Sequence, residues 1–94
     1  MEYMFKFCES LISLNLTNFD TSNVVSMSNM FYYCHNLVSL NLSNFNTSSV
    51  KYMSHLFFKL YNLESLDIYF FDTSSVITMD NLFYGNSKLT SLFY

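Results

Sequence analysis

One 26-residue sentence recurs along this chain without insertion or deletion. It reads MFKFCESLISLNLTNFDTSNVVSMSN from Met4, MFYYCHNLVSLNLSNFNTSSVKYMSH from Met30 and LFFKLYNLESLDIYFFDTSSVITMDN from Leu56. A shortened copy, LFYGNSKLTSLFY, runs from Leu82. The first two copies agree at more than half of their positions. A fixed period in this range excludes most globular folds. Each copy is too short to bury its own apolar face, so successive copies must stack and bury it against one another. The units are 4–29, 30–55, 56–81 and 82–94, preceded by a remnant at 1–3. Together they form a single repeat domain over 1–94, which reads as a fragment of a longer array.

Aligning the copies separates core from surface. Phe5/Phe31/Phe57/Phe83, Leu11/Leu37/Leu63/Leu89, Leu14/Leu40/Leu66/Leu92, Leu16/Leu42/Ile68/Tyr94, Phe19/Phe45/Phe71, Val24/Val50/Val76 and Met27/Met53/Met79 stay apolar. Lys6/Tyr32/Phe58/Tyr84, Glu9/His35/Tyr61/Ser87, Val25/Lys51/Ile77 and Ser26/Tyr52/Thr78 drift, as solvent-facing positions do. Within a copy, LISLNL alternates with period two, which reads as a half-buried strand. NFDTS follows as a turn, because Asn, Asp, Thr and Ser bond to nearby backbone. Val24, Met27, Met30/Phe31 and Cys34 then space themselves like a helix, with Thr21 or Ser22 where an N-cap would sit. The expected fold class is an α/β solenoid, a leucine-rich-repeat-like stack of strand–turn–helix units with a short parallel sheet on one side. Asn18 and Asn44 on one column, and Thr21, Thr47 and Thr73 on another, are placed to bond between layers.

Composition narrows function more than it names it. The chain has seven acidic residues and four basic ones, all lysine, for a net charge of −3. That balance argues against a nucleic-acid partner. No apolar run reaches the length of a membrane span, and the first residues do not read as a secretory signal. With one glycine, no phosphate-binding loop can be built. Cys8 and Cys34 share a column, open to a disulfide, a metal site or a ladder of buried thiols. His35 and His55 sit in columns that offer no further strong ligand, so no metal or other cofactor is expected. No serine has an evident His and Asp partner, and no enzyme is expected. The Asn-x-Ser/Thr matches at Asn15, Asn41 and Asn46 follow from the recurrence of an Asn/Ser/Thr-rich unit.

SLNLSNFNTSSV, FDTSNVVSMSNMF and MFYYC resemble the BspA-like leucine-rich-repeat surface proteins of bacteria, and most of all the 26-residue subfamily found in mycoplasma lipoproteins. The resemblance spans nearly the whole chain. It weakens late, where Leu60 and Asn86 replace the cysteine and Tyr69-Phe70 replaces Ser/Thr-Asn. It implies a leucine-rich-repeat solenoid, a location on the cell surface or outside the cell, and adhesion or protein binding, and it carries no catalytic residues. The function it suggests is a non-catalytic, surface-exposed module for protein binding. The alternative is a structural spacer in a longer surface protein. The partner would be a protein or another surface macromolecule. Strand alternation points Asn15, Asn41, Asp67, Tyr69 and Phe93 outward as candidate partner contacts. Exposed apolar layers at either end predict self-association.

Overall fold

The computed structural model describes all residues except Phe7, Leu11, Asn15, Thr17, Tyr69, Thr90 and Tyr94, and the side chains of residues 91–93. Four short strands, β1 (Ser13–Leu14), β2 (Ser39–Asn41), β3 (Ser65–Asp67) and β4 (Ser91–Phe93), form one parallel sheet in the order β1-β2-β3-β4. Every pairing joins equivalent copies: Ser13 to Ser39, Ser39 to Ser65, and Ser65 to Ser91. Parallel neighbours require a long return path, and here each return is the remainder of one copy. A second seam holds the opposite side, where Ser26, Tyr52 and Thr78 form isolated parallel bridges. The chain is thus a stack of coils, with layers at 1–26, 27–52, 53–78 and 79–94.

The expected helices are absent: among the described residues, no segment is helical. This overturns the α/β, leucine-rich-repeat-like strand–turn–helix solenoid. The backbone bonds give the reason. An α-helix sends every N–H to the carbonyl four residues back. Here the N–H groups alternate between two destinations. Those of Met30, Tyr32 and Cys34 close tight turns onto Met27, Asn29 and Phe31, three residues back. Those of Met27, Asn29, Phe31 and Tyr33 leave the layer and reach the carbonyls of Tyr52, Ser54, Leu56 and Phe58. The next layer repeats the pattern from Met53, His55, Phe57 and Lys59 to Thr78, Asp80, Leu82 and Tyr84. Left-handed backbone at Asn29 (φ 60°), Tyr33 (φ 62°), His55 (φ 59°) and Lys59 (φ 58°) breaks any helix at each second turn.

The apolar spacing fits this path. Val24, Met27 and Met30 are three residues apart, as are Phe31, Cys34 and Leu37, and each marks a corner of the polygon rather than a stripe on a cylinder. Thr21 does not act as an N-cap. Its Oγ1 donates to the carbonyl of Asn46 (3.1 Å) and accepts from the N–H of Asn46 (2.8 Å), one layer on. Thr47 does the same with Asp72, at 3.1 and 2.7 Å. Asn44 Nδ2 donates to the carbonyl of Leu16 (3.2 Å). The NFDTS turn is closed locally: Asp20 Oδ1 accepts from the N–H (3.0 Å) and Oγ (2.7 Å) of Ser22, which holds its carboxyl below the usual carboxylate range.

Core residues come from the constant columns of the middle layers. Met27, Phe31, Leu37, Leu40, Leu42, Phe45 and Val50 are buried, as are Met53, Phe57, Leu63, Leu66 and Ile68. Phe5, Phe31, Phe57 and Phe83 stack as a ladder, with ring centroids 5.6, 6.2 and 5.7 Å apart and planes within 7° of parallel. No helix among the described residues is long and apolar enough to cross a membrane.

Candidate functional site

Only part of the expected partner-binding strip can be placed. Asn41 and Asp67 are register partners on β2 and β3, and Phe93 is paired to Asp67 through the backbone. Asn15 and Tyr69 lie outside the described residues, as does the Phe93 side chain. Around Asn41 and Asp67 the sheet forms a shallow depression of about 200 Å³ with Ser39, Leu40, Ser65 and Leu66. Asn41 Oδ1 already accepts from the N–H of Ser43 (2.9 Å), so that side chain serves its own turn.

The cysteines are both free. Cys34 is fully buried, its Sγ donating to the carbonyl of Phe5 (2.6 Å), and burial pushes its thiol up to about 11. His35 Nδ1 lies 3.2 Å from the carbonyl of Tyr33, and His55 Nε2 lies 3.2 Å from Asn81 Nδ2. Among the described residues, no three His, Cys, Asp or Glu side chains are placed to hold a metal.

A stronger feature was hidden in a column that drifts in sequence. Tyr32, Phe58 and Tyr84 stack face to face, with centroids 4.8 and 5.2 Å apart. Lys6, the first member of the column, holds its ammonium 5.5 Å from the Tyr32 centroid and 4.7 Å from that of Tyr3. Lys59 Nζ donates to Tyr33 Oη (2.7 Å), which raises the lysine pKa and lowers the phenol's. Three aromatic rings in four copies were the available sign that this column is a ladder and not free surface.

Both ring ladders end in open faces on the fourth layer, where Phe83 is 37% and Tyr84 58% exposed. Beside them lies an open apolar groove of about 550 Å³, lined by Met53, Ile68, Phe71, Met79, Leu82 and Phe83. Thr73 stands at its edge, exposed, although its counterparts Thr21 and Thr47 are buried. The rim carries directed polarity as well. The N–H groups of Met79, Asn81, Phe83 and Gly85 occupy the positions that reach the next layer elsewhere, and among the described residues they meet no acceptor. In the same layer a buried Asn86 Nδ2 meets no partner among the described residues. An apolar groove flanked by a row of backbone donors has the chemistry to pair with an extended polypeptide laid alongside it.

Residues 1–93 match the family described as Mycoplasma protein of unknown function, DUF285. The chain belongs to the DUF285 family. No curated protein and no solved structure matches it. The family match and the helix-free layers overturn the resemblance to BspA-like leucine-rich-repeat surface proteins. The surface-exposed strand–turn–helix module for adhesion, and the spacer alternative, rested on that resemblance and that architecture, and both are withdrawn. A family of unknown function supplies no activity in their place, so function must be argued from this chain's own surface.

Proposed function

We propose that this chain acts by binding polypeptide at its fourth layer, with no catalytic step. The observation that carries the reading is the row of backbone donors at Met79, Asn81, Phe83 and Gly85 beside the apolar groove. Elsewhere in the molecule the same row is satisfied by carbonyls of an adjacent coil, while the ring of the next Phe covers the one below. A bound segment would supply both, its carbonyls pairing with the donors and its apolar side chains entering the groove. Backbone pairing gives affinity in this mode, and side-chain pockets give selectivity. The partner is therefore a protein segment able to follow the turn path of one coil.

A peptide copying residues 43–58 tests this, because in the folded chain that stretch supplies the carbonyls of Tyr52, Ser54 and Leu56 to the equivalent donors two layers earlier, at Met27, Asn29 and Phe31. Binding should slow hydrogen exchange at the amides of Asn81 and Phe83, and a scrambled peptide should not. Unchanged exchange at saturating peptide would refute the reading.

A further inference from the structure

Tyr32 and Phe58 belong to a lateral wall that runs along the stack. Residues 29–36 and 55–62, in the second and third layers, form its middle. Coils stacked above or below would lengthen this wall and not cover it. In an acidic chain it is the cationic side. Segments 3–10, 29–36, 55–62 and 81–88 hold three of the four lysines and both histidines, but only Glu9 of the seven acidic residues. Glu2 and Asp80 border the wall in the outer layers, and its two internal rows carry no acid. Five of the eight tyrosines lie here as well, so the positive charge is set in an aromatic surface. Lys59 is fixed at its centre. Its Nζ donates to Tyr33 Oη (2.7 Å), Tyr61 is a second side-chain partner, and the ammonium lies 5.0 Å from the Tyr33 centroid and 5.3 Å from that of Phe58. An ammonium has three donors, so these two phenols leave one for a ligand.

We infer that this wall is a second binding surface, distinct from the fourth-layer groove, and that it takes an acidic segment of polypeptide with a carboxylate seated on Lys59. The rings decide against ligands that bind by stacking. Phe58 lies between Tyr32 and Tyr84, and the other face of Tyr32 meets the Lys6 ammonium, so neither internal ring has a face left for a sugar or a base. What the ladder shows to solvent is ring edge, the positive part of the aromatic quadrupole, which suits an anion. Charge density decides among anions. With one lysine in its two internal rows, the wall cannot neutralise a densely charged polymer. Nor does it reach the cluster of about four to eight basic residues that reads as a site for anionic lipid. Tyrosine offers a protein partner a large contact area with little rotamer freedom to lose, and is enriched at protein interfaces. Scattered carboxylates on a polypeptide fit this mixture of rings, hydroxyls and few charges.

Titration of the chain with a short peptide of alternating Glu and Ala, followed by amide NMR shifts, tests this. Shifts should concentrate at residues 32–35 and 58–61, weaken as salt is raised, and be absent with the Gln–Ala counterpart. Lys59→Gln should weaken binding about fivefold. Lys51→Gln, the same charge change on an exposed residue outside the wall, should not. Tyr61→Phe keeps the ring and removes a hydroxyl beside Lys59, so it should also weaken binding, and it carries the test if Lys59→Gln lowers the melting temperature. No shift on the wall overturns the inference, as does equal loss in the Lys59 and Lys51 variants, which would mean diffuse attraction. Lys59-dependent binding of heparin or of phosphatidylserine vesicles without binding of the Glu–Ala peptide also overturns it, and would assign the wall to a polysaccharide or a membrane. The 43–58 peptide has no acidic side chain, so binding at the fourth layer and binding at the wall stand or fall separately.

Discussion

Thr47→Val isolates what the bonds between layers contribute. The Thr47 side chain is 1% exposed, and its hydroxyl both donates to the carbonyl and accepts from the N–H of Asp72. Valine keeps the shape and removes the hydroxyl, so both groups of Asp72 lose their partner at once. An intramolecular hydrogen bond contributes about 0.5–1.5 kcal/mol net, and an orphaned group with poor access to water costs about 1–3 kcal/mol. Asp72 is exposed at its side chain, so water recovers part of the loss. The expected destabilisation is about 2 kcal/mol. Thr73 occupies the same column but is exposed, so Thr73→Val should change stability by less than about 0.5 kcal/mol. Urea unfolding at low protein concentration reads the difference. With a slope of about 1–2 kcal/mol per molar for so small a chain, the Thr47→Val midpoint should fall by about 1–2 M. Equal effects at Thr47 and Thr73 would refute the claim that this column acts between layers, and would assign the cost to threonine's local turn preference.

Three further outcomes can be measured. Gly85→Ala should lower stability by roughly 1–3 kcal/mol, because φ is +84° and an added Cβ would lie 3.0 Å from Lys59 Cγ and 3.1 Å from Lys59 Cα; an unchanged unfolding midpoint would contradict this. The carboxyl pKa values of Asp20 and Asp72 are lowered by bonds from Ser22 and Ser74, so their contribution is full above the ordinary carboxylate range and is lost as pH falls through the lowered values. Asp20→Asn with Asp72→Asn should flatten the acid limb of the melting curve at little cost near neutrality, since Asn46 already makes the same turn with an amide; an unaltered acid limb would refute it. The buried Cys34 thiol, pushed up to about 11, should resist a thiol reagent at pH 8 until the chain unfolds, and reductant should leave melting unchanged. A reductant-sensitive melt would contradict the free thiols.

Much of the core was legible because stacked copies must repeat their buried shape. Phe31 and Phe57, Leu37 and Leu63, and Met27 and Met53 could be read as interior from their columns alone, and they are buried. The helix was misread because apolar spacing of three or four residues does not distinguish a cylinder from a polygon of tight turns. The deciding information lies in where each N–H goes, and half of them go to a residue 25 positions away. One local sign existed. Asn29 and Asn81 share a column with His55, and all three adopt left-handed backbone, which asparagine tolerates better than most residues. The candidate site was less visible. Tyr32, Phe58 and Tyr84 differ in polarity from Lys6, so the column looked unconstrained, although ring stacking and cation–π contact satisfy all four. The open donors of the fourth layer have no sequence signature at all, since the same residue types are satisfied one layer earlier.

The alternating backbone bonds also govern how such a chain can fold. An isolated coil has only three-residue turns to hold it, and these do not offset the entropy of ordering 26 residues. The first favourable species therefore needs two adjacent coils, and its barrier is set by closing a loop of one period. After that, each coil lays down on an edge whose donors are already aligned, and the entropic cost per coil stays constant. Lengthening the array by further copies would leave the loop to be closed unchanged, so the nucleation barrier should not rise with chain length as it does when distant segments must meet. Any two neighbouring copies can serve as the starting pair, and growth can proceed from them in both directions.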